Sequence, residues 1–121
     1  MNNGWIGVDL DGTLAVHGDW HGPTHVGEPV PLMLERVKNW LAQGFEVRIM
    51  TARVASTSQM REEARAAITE WCVKHIGVAL AVTSEKDYDM IELWDDRCVP
   101  VEFNTGLIVS FSETNPEDGQ E

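Results

Sequence analysis

The sequence predicts an α/β fold, a three-layer, doubly wound and mainly parallel sheet, and two observations carry that prediction. Short apolar runs alternate with longer segments in which apolar residues recur at helical spacing, the pattern of strands joined by crossover helices. Several of the short runs also end abruptly in acidic or hydroxyl residues, as strands do where a parallel sheet presents its site along the carboxyl edge. A hydrophobic share of 43% over 121 residues suffices for one compact domain with a buried core, read as residues 1–112.

Trp5, Ile6, Gly7 and Val8 form a buried strand that runs into Asp9-Leu10-Asp11-Gly12-Thr13. Residues 15–31 are rich in Gly, Pro and His and predict a flap, with Pro29 and Pro31 placed to start a helix. Across residues 32–43 the side chains Met33, Leu34, Val37, Trp40 and Leu41 share a helical face, and Gly44 is the expected cap. Residues 45–50 supply a second strand ending at Thr51-Ala52-Arg53. Ser56 and Gln59 have capping-box spacing and predict the start of the longest helix. Its stripe of Met60, Ala64, Ala67, Ile68, Trp71, Cys72 and Ile76 stops at Gly77. A third strand is expected at 78–82, Lys86 in the polar connection after it, and a fourth strand at 91–94 that ends in Asp95-Asp96. Residues 99–103 and 107–111 read as short strands near a sheet edge, and the acidic stretch 113–121 as a disordered tail. Right-handed crossovers would cover both faces of the sheet.

Net charge is −11, from 20 Asp and Glu against 9 Lys and Arg, which disfavours extended nucleic acid and anionic membrane surfaces as partners. Cys72 and Cys98 have no CxxC spacing and read as thiols of a reducing compartment. With no signal-like N-terminus and no long apolar run, the expected location is cytoplasmic.

The fold prediction brings Asp9, Asp11, Asp95 and Asp96 to one edge, where four carboxylates repel one another unless a cation sits among them. All-oxygen ligation suits Mg2+, which keeps waters for an incoming phosphate. In that setting Asp9 can attack phosphorus as a nucleophile, and Asp11 can act as general acid and base. Thr51 and its following amides offer hydrogen bonds to phosphate oxygens, Lys86 a point charge, and Arg53 a further phosphate contact. Arg97 reads as structural. Read as a calcium loop, the Asp9 segment would need Glu at its last ligand position, where Trp20 stands. His17, His21 and His25 would line one face of a helix and suggest zinc, but Gly18, Gly22 and Pro23 oppose a helix there. The flap is instead expected to bring Trp20 and these histidines to the substrate.

Asp9-Leu10-Asp11-Gly12-Thr13-Leu14, Thr51, Lys86 and Asp95-Asp96, in this order, resemble the four motifs of the haloacid dehalogenase superfamily of phosphatases. The resemblance spans residues 6–96. It implies a Rossmann-like core and a phosphate monoesterase working through an aspartyl phosphate on Asp9. It implies metal ligation by the Asp9 carboxylate, the Asp11 backbone carbonyl and Asp95, with Asp96 binding directly or through water. By the same resemblance Thr51 stands at the second motif and Gly12 permits the turn; Ala52, through its amide, and Arg53 are the further substrate contacts read from their places after Thr51. The gaps in which that family inserts cap domains are too short here, so the chain resembles a capless member, which takes a large substrate or borrows a lid from a second copy in a homo-oligomer; the expected partner is a phosphorylated substrate, a small molecule by expectation. Dehalogenation is disfavoured by the presence of Asp11. A phosphoaspartyl receiver would place its acidic pair after the first strand and its acceptor after the third, the reverse of the order here. An inactive binding protein on the same fold is the remaining alternative.

Overall fold

In the computed structural model, residues 4–109 are described, and they form a four-stranded, all-parallel sheet with two helices, a small Rossmann-like α/β fold. The strands are β1 (Trp5–Asp9), β2 (Glu46–Met50), β3 (Ala81–Thr83) and β4 (Met90–Trp94), and the helices are α1 (Pro31–Ala42) and α2 (Arg61–His75). The order across the sheet is β3-β2-β1-β4, so β1 is central and its end is flanked by the ends of β2 and β4.

Alternation along β1 and β2 explains the core. Ile6 and Val8 lie beside Val47 and Ile49 on one face, and all four are buried. Met33 and Val37 of α1 and Ala64, Ile68, Trp71 and Cys72 of α2 join the same cluster, so both helices cover that face. The crossovers β1-α1-β2 and β2-α2-β3 step the same way across the sheet, and crossovers of one hand stepping one way deposit their helices on one side. The second helical layer is therefore replaced, among the described residues, by side chains of the sheet itself. Trp5 is fully buried beneath the Arg48 guanidinium, 4.4 Å from its ring, and donates from Nε1 to Asp87 at 2.8 Å.

Proline at the start of α1 has no amide to leave unpaired, and Gly44 closes the helix at φ +91°, where a side chain would be strained. Helix α2 begins later than its sequence suggests. The Ser56/Gln59 capping box does not form: a turn from Ala55 to Ser58 occupies that stretch, and Arg61 opens the helix with no side-chain cap, with Glu62 and Glu63 in its first turn. Strand β3 is also shorter and shifted, because Gly77 at φ +104° turns the chain and only Ala81–Thr83 reach β2. Residues 99–109 form no sheet strand. They fold as a hairpin with one antiparallel bridge, Val101 to Ile108, leaving Val101, Phe103 and Ile108 exposed. The end of the expected 107–111 strand and the 113–121 tail lie outside the described residues. Cys72 and Cys98 are unpaired thiols, Cys72 pushed up to about 11 by burial. No helix among the described residues is long and apolar enough to cross a membrane.

Candidate active site

Because all strands run parallel, their carboxyl ends share one edge. Asp9 closes β1, Thr51 follows β2, and Asp95 and Asp96 follow β4. The carboxylates of Asp9, Asp95 and Asp96 each offer an oxygen, and these oxygens lie within 4.8 Å of one another. Burial, a hydrogen bond with Asp96 and the charge of Asp95 push Asp9 up to about 7, while hydrogen bonds from Asp9 and Thr13 hold Asp96 below its ordinary value. Such crowding of acidic oxygens is the donor set a hard divalent cation fits.

The turn after β1 builds the first half of this cluster. Gly12 stands at φ +87°, which favours glycine, and a Cβ there would lie 2.8 Å from Asp96 Oδ2 and push that carboxylate aside. The amide of Gly12 donates to the Ala15 carbonyl at 2.9 Å, closing the turn. Thr13, nearly buried, ties the two halves together. Its hydroxyl lies 3.2 Å from Asp9 Oδ2 and 3.0 Å from Asp96 Oδ1, and accepts from the Asp96 amide at 3.0 Å. Sequence reasoning missed Thr13 as a functional residue; its spacing one helical turn after Asp9 was the available signal.

Thr51 is buried and its hydroxyl caps the short turn Ala52–Val54 by accepting from the Arg53 amide at 3.1 Å, which leaves the hydroxyl proton for another acceptor. Asp9, Asp11, Thr51, Ala52, Arg53 and Asp96 line one cleft of ≈ 460 Å³, together with His17, Trp20, Pro23, Ser58 and Arg97. Arg97, expected to be structural, therefore faces the cleft, and its guanidinium makes no ion pair among the described residues.

Two expectations change. Lys86 does not line the cleft; it is exposed on the connection between β3 and β4, which leaves the carboxyl edge and runs down to Asp87 beside Trp5. Arg53 is occupied rather than open to a phosphate. Its Nε and Nη2 donate to the two carboxylate oxygens of Asp11 at 3.0 and 2.7 Å, and its Nη1 donates to the carbonyls of Pro23 and His25 at 2.9 and 2.6 Å. The flap does reach the site: Trp20 lies 4.8 Å from the Arg53 guanidinium, and His17 Nδ1 lies 3.8 Å from Asp11. His21 and His25 pack edge to face at 5.0 Å, and the histidines form no ligand cluster among the described residues.

No family model and no curated protein matches this sequence. Among solved structures the chain is similar to a conserved protein from Bacteroides thetaiotaomicron, with a TM-score of 0.53 and 22% identity over 81% of this chain and 79% of that one. The likeness extends to the fold alone.

Proposed function

We propose that this chain is a magnesium-dependent phosphate monoesterase of the haloacid dehalogenase type, with Asp9 as nucleophile and Asp11 as general acid and base. The observation that carries the reading is the triangle of Asp9, Asp95 and Asp96 oxygens at the carboxyl edge, directly beside Thr51 and the Asp11 side chain. A divalent cation bound by these carboxylates supplies charge neutralisation for an incoming phosphate.

The chain's own groups account for the rest. An Asp9 oxygen attacks phosphorus, the ester P–O bond breaks, and the leaving oxygen takes a proton from Asp11. Water then attacks the aspartyl phosphate, gives its proton to Asp11, and the bond to Asp9 breaks to release inorganic phosphate. Thr51 donates its hydroxyl to a phosphate oxygen, and the amides following it add further donors. Thr13 holds the Asp9 carboxylate by hydrogen bond, which fixes the direction of attack. Lys86, expected from the resemblance, neither lines the cleft nor joins the carboxylate triangle, so the geometry lends it no support. A phosphorylated small molecule fits the cleft volume, the net negative charge disfavours an extended nucleic acid, and the two unpaired thiols accord with a cytoplasmic setting.

The test is hydrolysis of a panel of phosphate monoesters by wild type and Asp9→Asn, with magnesium and with chelator. Magnesium-dependent turnover that the substitution abolishes supports the reading. Absence of turnover across the panel, or turnover retained in Asp9→Asn, overturns it.

A further inference from the structure

Arg53 is the most fully engaged polar side chain of the site. Its side chain is 7% exposed, and four of its five N–H donors have partners: two on Asp11, two on the carbonyls of Pro23 and His25. Trp20, 58% exposed and carried by the same flap, covers the guanidinium face. Elsewhere among the described residues the flap is held by hydrogen bonds at its base, Val16 to Glu28, Val30 to Leu14 and the Trp71 indole to the Gly27 carbonyl, and by Val26 packed against the core. Between those fastenings, the bonds to Pro23 and His25 run to a single side chain from the end of β2, and that side chain also grips Asp11.

We infer that Arg53 is a positioning residue that joins the flap and Asp11 into one unit, aiming the Asp11 carboxylate and setting Trp20 and His17 at the cleft mouth in the same contact. The catalytic half of this inference rests on the phosphohydrolase reading; the structural half does not. A planar fork is needed for the arrangement, because the two oxygens of Asp11 and the two flap carbonyls are met from different edges of one guanidinium, and a lysine ammonium with its three donors at one point cannot span them. Proton transfer to a leaving oxygen also requires that Asp11 release one of its two bonds to Arg53, so the unit is built to shift when a phosphate ester enters the cleft.

The experiment combines hydrogen exchange with a comparison of leaving groups, in Arg53→Lys and Asp11→Asn. The amide of His25 is expected to exchange about tenfold faster in both variants, with the base amide of Val16 and the β1 and β2 amides unchanged as the control for the fold. On alkyl phosphates, whose leaving oxygen needs a proton, Arg53→Lys is expected to lose roughly 100-fold in kcat, and on dinitrophenyl phosphate, whose leaving group does not, only a few-fold. A simple phosphate contact would instead raise KM for both esters alike and leave the flap unmoved. Unchanged flap exchange in both variants overturns the unit of Arg53, Asp11 and flap, whatever the turnover. Equal losses on the two esters overturn the aiming of Asp11. Wild type without turnover on either ester overturns the phosphohydrolase reading, and the exchange data then decide the structural half alone.

Discussion

Replacing Asp9, the proposed nucleophile, by Asn should make the metal-free protein more stable. The carboxyl is raised from 3.8 to about 7, chiefly by burial and by its contact with Asp96. At ~1.4 kcal/mol for each tenfold change in proton affinity, that rise sets a ceiling of ~4 kcal/mol on the cost of ionising Asp9 in the fold. Solvent reaches this partly exposed group, so screening reduces the cost to about 1–2 kcal/mol. The sign follows from a raised carboxyl: the stability it allows is fully present below pH 3.8 and is lost as pH climbs toward 7, because the unfolded chain ionises first. Thermal unfolding followed by circular dichroism in chelator should therefore show Asp9→Asn melting about 5–10 °C above wild type at pH 7.5. The gap should narrow at pH 5, and added magnesium should raise wild type more than the variant. A variant no more stable than wild type at pH 7.5, or a gap that does not change with pH, would refute the account of crowded carboxylates.

Three further outcomes follow from the same geometry. Gly12→Ala sets a Cβ against Asp96 Oδ2 at a positive φ and should cost about 1–3 kcal/mol together with magnesium affinity, whereas Gly18→Ala, with open space around it, should leave both unchanged; melting curves and a magnesium titration check the pair. Thr13→Val keeps the shape but strips the hydroxyl from Asp9 and Asp96, and should weaken magnesium binding by about tenfold, read by calorimetry. Arg97→Ala removes an exposed cation from the cleft wall and should raise KM by roughly tenfold with melting unchanged, as steady-state kinetics will show.

Most of the sheet was legible because strand and helix periods differ, and the apolar runs at β1, β2 and β4 end in acidic or hydroxyl residues that mark the strand ends. The misreadings have local causes. A capping box is a spacing rule, and the 55–58 turn took the same residues for another purpose. The apolar segments after β4 look like strands to any periodicity argument, yet they turn back on each other as a hairpin off the sheet.

By itself the sequence determined the α/β class, the order of strands and helices, and the arrival of Asp9, Thr51, Asp95 and Asp96 at one edge, since parallel strands joined by crossovers leave no other place for residues that end a strand. Only the tertiary structure decided what those residues touch. The partner of Asp11 lies on β2's following turn, the acceptors of Arg53 lie in a flap without regular structure, and Thr13 meets Asp96 from the far end of the chain. Lys86 passes close in sequence to the edge but is carried away from it. Hydrogen bonds between segments remote in sequence depend on side-chain directions and loop paths, and neither leaves a period in the chain from which it can be read.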